Sequence, residues 1–93
     1  MAKPFHVEVL TPEKNAYSGD ATMVVVRSLV GEIAFMAGHI PYIGALANAT
    51  VKIYRENGEI LQSDSKGGIV QVHREGGLTL ATDSIDFGNY ESN

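Results

Sequence analysis

The chain has 93 residues, contains no cysteine, and carries a formal net charge of −4 from 11 acidic and 7 basic residues. This length allows one small domain, and the missing cysteines exclude disulfides, thiolate nucleophiles and cysteine zinc sites. The acidic balance disfavours nucleic-acid binding, and no apolar run or N-terminal apolar core indicates direct membrane insertion or export.

The first half of the chain has the patterns of β-strands. Phe5–Val9 alternates apolar and polar residues, whereas Met23–Val26 is a continuous apolar run, as expected of a strand covered on both faces. Pro12 removes a ladder donor and is expected to end the first strand. Further turns are predicted at Ser18-Gly19-Asp20 and at Gly38-His39-Ile40-Pro41. The strands predicted in this half are Phe5–Val9, Met23–Val26 and Gly31–Met36.

The second half begins with an apolar segment, residues 42–47, that fits either a strand or a short helix. Glu56-Asn57-Gly58-Glu59 predicts a hairpin with a two-residue type I′ turn, and Glu75-Gly76-Gly77 predicts another hairpin turn. Gly67-Gly68 indicates a bulge or a close approach of two backbones. The strands predicted here are Val51–Tyr54, Ile60–Ser63, Ile69–Val72 and Leu78–Thr82.

Eight to ten short strands with this turn spacing predict an all-β fold, a flattened antiparallel β-sandwich or barrel. We place this domain at residues 1–84. Residues 85–93 have no period, and no basic residue follows position 82. The sequence therefore predicts an acidic, flexible tail over residues 85–93.

Catalytic motifs are scarce. The three histidines, His6, His39 and His73, match no metal-binding spacing, and no serine lies in a nucleophile elbow. The segment Lys66-Gly67-Gly68 lacks the spacing of a phosphate-binding loop, which favours the bulge interpretation. A small enzyme is therefore the least supported class of function, and we expect no metal ion and no cofactor.

The segment from Gly31 to Tyr42 reads G-E-I-A-F-M-A-G-H-I-P-Y. It resembles the pattern G-E-[LI]-G-[IV]-x-P-G-H-x-P-L of the N-terminal domain of the epsilon subunit of F-type ATP synthase. Ala34 and Ala37 depart from that pattern, and Arg27–Val30 replaces a common proline-glycine loop. Further similar segments extend the resemblance over residues 5 to about 84: Phe5–Glu13, Tyr17–Gly19, Gly67–Val72 and Leu78–Thr82.

The resemblance implies a ten-stranded sandwich that serves as a non-catalytic rotor subunit, linking the gamma subunit to the membrane c-ring. Such a subunit couples proton-driven rotation to ATP synthesis. Because the N-terminal residues do not resemble a transit peptide, we expect a peripheral protein on the cytoplasmic face of the bacterial plasma membrane. By position, Gly31 and Glu32 are expected to contact the polar loops of the c-ring. The segment expected to contact the gamma subunit is His39, Ile40, Pro41, Tyr42 and Ile43.

Two further expectations follow from the resemblance. The family usually continues into a pair of C-terminal helices, which hold ATP in some relatives and can block rotation. Only twelve residues follow Ala81, which is too few for two helices, so we expect no nucleotide binding and no brake of that kind. The alternative is a free-standing β-sandwich binding module, which would not need an exposed apolar patch on its rim.

Overall fold

The computed structural model describes residues 3–88. Within that range the chain forms nine β-strands and no helix. The strands are β1 (Phe5–Leu10), β2 (Asn15–Ala21), β3 (Met23–Ser28), β4 (Gly31–Phe35), β5 (Tyr42–Leu46), β6 (Ala49–Tyr54), β7 (Ile60–Ser65), β8 (Gly68–Val72) and β9 (Leu78–Ala81). The prediction of an all-β fold with eight to ten short strands is confirmed.

The strands form a curled sheet in the order β2-β1-β9-β8-β5-β3-β6-β7, and β4 pairs with β3. Only Ala47 and Asn48 separate β5 from β6. Both of these strands pair with β3. The chain therefore passes from one layer, β2-β1-β9-β8-β5, into the other, β4-β3-β6-β7. Among the described strand pairs only β1 and β9 run parallel. The result is a flattened sandwich of 30 × 30 × 19 Å.

The core lies between the two layers and follows the period-2 alternation of the strands. Val7 and Val9 of β1 face Leu78 and Leu80 of β9 across the parallel pair, and all four are buried. Tyr17 and Phe35 are the largest side chains that are fully buried. Because the inward positions of both layers meet in one cluster, the sandwich has a single core that holds its outer surfaces in place.

The β6–β7 hairpin differs from the predicted turn. The Arg55 N–H donates to the carbonyl of Glu59, and the Gly58 N–H donates to the carbonyl of Arg55. Gly58 has a φ of 91°, whereas no residue other than glycine in the described range has a positive φ. The type I′ prediction is therefore wrong, because it requires a positive φ at Asn57 as well; three residues form the loop instead, with glycine in the left-handed position.

The predicted turn at residues 18–20 is also wrong. These residues lie inside β2, where Ser18 pairs with Glu8 and Gly19 pairs with Val7. The ladder with β1 keeps this stretch extended although its composition favours a turn. By contrast, the segment that was open to either strand or helix, residues 42–47, is strand β5 over Tyr42–Leu46, which pairs along its whole length with β8.

Part of the predicted tail packs against the sandwich. Ile85 is buried, and the Phe87 ring contacts the Tyr17 ring edge-on at 6.4 Å between centroids. The Asp86 N–H donates to the hydroxyl of Ser63, and its carboxylate lies 3.4 Å from the Lys14 ammonium. Residues 89–93 lie outside the described range, so the tail and the domain boundary at residue 84 stay predictions.

Candidate subunit-contact site

The predicted ring contact lies at the turn of the β3–β4 hairpin. Gly31 pairs with Ser28 and Glu32 pairs with Arg27. The buried Ser28 hydroxyl donates to the Gly31 carbonyl at 2.9 Å and accepts the Val30 N–H at 3.1 Å. Gly31 has a φ of 132°, a conformation that favours glycine. The hairpin therefore holds the Glu32 side chain, which is exposed, at a defined place on one end of the sandwich.

The predicted stalk contact begins in the loop between β4 and β5, which an aromatic cluster stabilises. The centroid of the buried Phe35 ring lies 4.9 Å from the centroid of the His39 ring and 5.8 Å from that of the Tyr42 ring. The His39 ring also makes a 2.8 Å hydrogen bond with the carbonyl of Ile40, through Nδ1. Because these rings pack inward, Ile40 is left 74% exposed at the outside of the loop, with Pro41 exposed beside it.

These two groups of residues do not form one site. Gly31 pairs near the end of β3 at Ser28, whereas Phe35 pairs with Val24 near its beginning. Five residues of strand separate the ends of β4 by about 13 Å. The structure therefore places the Glu32 turn and the His39–Tyr42 loop at opposite ends of the sandwich, as two separate contact surfaces.

The outer surface of the first layer carries an apolar row that sequence reasoning missed. Ala45 of β5 pairs with Ile69 of β8, Ile69 pairs with Ala81 of β9, and Ala81 pairs with Leu10 of β1. Ile43 lies two residues from Ala45 on the same side of β5 and is 66% exposed, while Ile69 is 51% exposed. We call Leu10, Ile43, Ala45, Ile69 and Ala81 the apolar face.

A depression of about 310 Å³ lies on the apolar face between Leu10, Ile69 and Ala81. The alternation within each strand was visible in the sequence, but each strand contributes only one or two of these residues. Of the five, only Ile43 belongs to the predicted stalk contact. The pairing of β5, β8, β9 and β1 assembles the rest.

The outer surface of the second layer has a different chemistry. A wide depression there is lined by Arg27, Glu32, Lys52 and Asp64 among other residues, and the Thr50 hydroxyl donates to the Asp64 carboxylate at 2.7 Å. This surface therefore carries charged side chains of both signs. The sandwich is therefore asymmetric, because the first layer carries an apolar row on part of its outer surface, whereas the second carries a charged depression.

Two charged groups outside these surfaces have shifted pKa values. Burial by itself would lower the pKa of Arg55, but hydrogen bonds with Glu59 and Tyr17 and the charge attraction of both raise it above its ordinary value. The pKa of Asp86 lies below its ordinary value because the Gly88 N–H donates to its carboxylate and because Lys14 lies beside it. Both groups secure turns of the scaffold.

The described residues offer little for catalysis or metal binding. No three histidine or acidic side chains within residues 3–88 are placed to hold a metal ion. His6 bonds to the Glu8 carboxylate at 3.2 Å, and His73 bonds to the Thr79 hydroxyl at 2.7 Å, as ordinary neighbours on strands do. In the same part of the chain no helix is long and apolar enough to cross a bilayer.

The fold and its surfaces define a rigid all-β scaffold with contact faces at its outside. Residues 4–86 match the family described as "ATP synthase, Delta/Epsilon chain, beta-sandwich domain". Since this match covers most of the chain, the protein belongs to that family. The resemblance identified from the Gly31–Tyr42 segment is thereby confirmed.

Individual relatives agree with this assignment. The chain is 38% identical over 82 residues to the "ATP synthase epsilon chain, sodium ion specific" of Propionigenium modestum, which covers 88% of this chain and 59% of that relative. It is 35% identical over 79 residues to the ATP synthase epsilon chain of Frankia casuarinae, covering 84% of this chain and 92% of that one. The chain thus spans less than two thirds of the first relative and nearly all of the second.

Solved structures share the fold. A chain in the Euglena gracilis mitochondrial ATP synthase, in a structure of OSCP, F1 and the c-ring, superposes with a TM-score of 0.83 at 19% identity, covering 88% of this chain and 52% of that one. A chain in the central stalk and c-ring of the Tetrahymena thermophila mitochondrial enzyme gives a TM-score of 0.76 at 16% identity. The match covers 90% of this chain and 66% of that one. The sandwich is therefore a fold that occurs in ATP synthases.

Proposed function

We propose that this protein is the epsilon-type, non-catalytic rotor subunit of an F-type ATP synthase. It links the gamma subunit of the central stalk to the polar loops of the c-ring and couples proton-driven rotation to ATP synthesis. Family membership supports this role, as do the relatives named ATP synthase epsilon chain. The subunit needs no cofactor for it and resides at the cytoplasmic face of a bacterial plasma membrane through its partners.

The observation that carries the proposal is the apolar face together with the neighbouring loop. Ile43 and Ile69 are at least half exposed and lie on the same layer as the small side chains of Ala45 and Ala81, and Ile40 is exposed in the loop that leads into β5. A large apolar side chain gains about 1.5–3 kcal/mol when it becomes fully buried. We assign this surface to the gamma subunit, because a free-standing module would not leave it exposed.

The Glu32 turn makes the second contact, which is with the polar loops of the c-ring. An exposed carboxylate that pairs with a partner charge contributes only about 0–1 kcal/mol, so Glu32 adds little affinity for the ring. Its part is to define the position of the ring loops relative to the hairpin, since like charges would repel and opposite charges attract there. Affinity for the stalk thus comes from the outer surface of the first layer, and orientation on the ring comes from the β3–β4 turn.

Transmission of torque requires a scaffold that does not deform. The shared core clamps both layers, and close-packed interiors have low compressibility. The hydrogen-bonded sheet also continues from one layer into the other through β3, which pairs with both β5 and β6. A force applied at the apolar face therefore reaches the Glu32 turn through paired strands.

The test is affinity purification of the tagged chain from native membranes of its host, followed by identification of the subunits recovered. Ile69→Asp is expected to lower recovery of the gamma subunit at least tenfold, because a charge would have to be buried in the contact. The matched control is Ile60→Asp, since Ile60 has nearly the same exposure, 50% against 51%, but lies on β7 in the other layer. Recovery of the wild-type chain without stalk subunits, or equal losses for both variants, would contradict the proposal.

A further inference from the structure

The depression on the apolar face combines apolar walls with one carboxylate. Leu10, Pro12, Ile69 and Ala81 supply the walls, and the exposed Asp83 lines the depression as well. Its volume of about 310 Å³ is at the lower end of the range for ligand pockets, about 300–1,000 Å³. That volume suits one side chain of a partner better than a whole peptide segment. We call this depression the Asp83 groove.

Asp83 is the polar side chain of the groove that is left available to a partner. The Thr11 hydroxyl donates to the carbonyl of Lys14 at 3.0 Å and accepts the Lys14 N–H at 3.1 Å. The Thr82 side chain is buried. Among the described residues 3–88, no basic side chain lies within ion-pair distance of the Asp83 carboxylate.

The backbone holds Asp83 in place between two hydrogen bonds. The Thr82 N–H donates to the carbonyl of Leu10 at 3.0 Å, and the Lys66 N–H donates to the carbonyl of Ser84 at 3.2 Å. The first bond continues the pairing with β1 by one residue beyond Ala81. A carboxylate on a segment fixed in this way loses little conformational freedom on binding, which favours a specific contact.

The charges around the groove indicate the chemistry of the partner. Glu13 is exposed directly after Pro12, which adds a second acidic group beside the groove. The nearby ammonium of Lys14 already lies 3.4 Å from the carboxylate of Asp86. The surroundings of the groove are therefore acidic, and they attract a basic group and repel an acidic one.

A lysine or arginine side chain matches both properties of the groove. Such side chains bury their aliphatic stems along apolar surface and keep the charged group in a polar environment. A purely apolar side chain fits less well, because it would cover the Asp83 carboxylate without giving it a partner. The groove is also continuous with the rest of the apolar face, which we have assigned to the gamma subunit.

We propose that the Asp83 groove receives one lysine or arginine side chain of the gamma subunit. The stem of that side chain lies against Leu10, Ile69 and Ala81, and its charged group pairs with the Asp83 carboxylate. This inference rests on the proposed function, because it presumes that the apolar face meets the stalk. It names the chemistry that the stalk presents there and assigns Asp83 as the residue that selects it.

The first test measures affinity for synthase that has been depleted of this subunit. Asp83→Asn should bind about tenfold or more weakly than the wild type, because the basic group of the partner loses its counter-charge. Raising sodium chloride from about 0.05 M to about 0.5 M should weaken the wild type more than this variant. The control Glu56→Gln removes a charge from the exposed β6–β7 turn and should change the affinity by less than about twofold.

Two outcomes of this titration separate the inference from the proposed function. If Asp83→Asn and the wild type bind equally well and with the same salt dependence, the inference is overturned and the proposed function stands. If the wild-type chain does not bind the depleted synthase, both are overturned.

The second test identifies the partner by charge reversal. Asp83→Lys should bind about thirtyfold or more weakly than the wild type, because it places like charges together. Changing the lysines and arginines of the gamma subunit to glutamate, one at a time, should yield one variant that restores binding of Asp83→Lys. The inference is overturned if no gamma variant restores binding, or if binding is restored only by a change in the ring subunit.

The third test fills the groove. Ala81→Leu should lower the affinity about fivefold or more, because the added side chain takes the place of the stem; a merely apolar contact would keep or gain affinity instead. Ala34→Leu makes the same change at an exposed position of the second layer and should leave binding unchanged. Thermal unfolding of both variants confirms that they are folded. Unchanged or tighter binding of Ala81→Leu, or self-association of the purified chain that Asp83→Asn abolishes, would overturn the inference.

Discussion

Gly68 lies so close to Ala81 that a Cβ atom on Gly68 would collide with the carbonyl oxygen of Ala81. The backbone of Gly68 has a φ of 123°, and the next residue, Ile69, pairs with Ala81 in the β8–β9 ladder. This approach brings Ile69 and Ala81 side by side on the apolar face. The close approach of backbones predicted from Gly67-Gly68 is confirmed.

Gly68→Ala should therefore destabilise the fold strongly. We expect a loss of about 3 kcal/mol or more in the free energy of unfolding, because the collision involves backbone that cannot move aside and adds to the strain of the positive φ. The control is Gly76→Ala. Gly76 has a φ of 108°, but a Cβ atom added there would meet open space. We expect this variant to lose about 1–2 kcal/mol in the free energy of unfolding. Urea denaturation of both variants measures the difference; equal losses would mean that the β8–β9 contact relaxes easily.

Arg55 is a second point of the scaffold on which stability depends. Its side chain is 1% exposed, its Nη1 lies 2.6 Å from Oε1 of Glu59, and its guanidinium carbon lies 5.9 Å from the centroid of the Tyr17 ring. Arg55→Met keeps most of the volume but removes these interactions, and we expect it to cost about 1–3 kcal/mol. Arg74→Met, at an exposed position in the corresponding β8–β9 turn, should change stability by less than about 0.5 kcal/mol. Thermal or chemical unfolding compares the two, and a neutral Arg55→Met would show that packing alone sustains the turn.

Asp86 should make the stability depend on pH in the acidic range. Its pKa in the folded chain lies below the ordinary value of 3.8, so the unfolded chain binds the proton more readily. The stabilisation is consequently present above about pH 3.8 and is lost as the pH falls through the folded pKa. The melting temperatures of the wild type and Asp86→Asn should differ at neutral pH, and the difference should shrink as the pH falls below 3.8. A difference that stays constant over this range would exclude the carboxylate as its source.

Glu32→Lys should leave the sandwich folded while it impairs coupling. The side chain is exposed, so we expect a change below about 0.5 kcal/mol in stability, including the repulsion from Arg27 on the neighbouring strand. ATP-driven proton pumping by the assembled enzyme should fall relative to its hydrolysis rate. Glu56→Lys makes the same charge change in the exposed β6–β7 turn at the other end and should leave coupling unchanged. A loss of several kcal/mol in Glu32→Lys would instead identify Glu32 as a structural residue.

The chain should not bind ATP at millimolar concentration. Among residues 3–88 no glycine-rich loop leads into a helix N-terminus, where phosphates commonly bind. Thermal unfolding with ATP and with sodium chloride of equal ionic strength provides the comparison, and the two melting curves should coincide. A shift specific to ATP would reveal a nucleotide site that the strands and their loops do not suggest.

Local features of the sequence were enough to identify most of the strands and the fold class. The alternation in Phe5–Val9 or Val51–Tyr54 depends only on neighbouring residues, because successive side chains of a strand point to opposite sides. The Gly31–Tyr42 segment likewise identified the family without any knowledge of the fold. The errors occurred where tertiary pairing overrides local preference, as at Ser18–Asp20, which the ladder with β1 keeps extended.

The sequence by itself thus determined most of the strands, which of their residues alternate toward a core, and which family the chain belongs to. Only the tertiary structure decided which outward residues share a surface. Leu10, Ile69 and Ala81 are far apart in the chain and meet because β1, β9 and β8 pair in a particular register. That register depends on long-range strand pairing, which leaves no mark on the local period of the sequence.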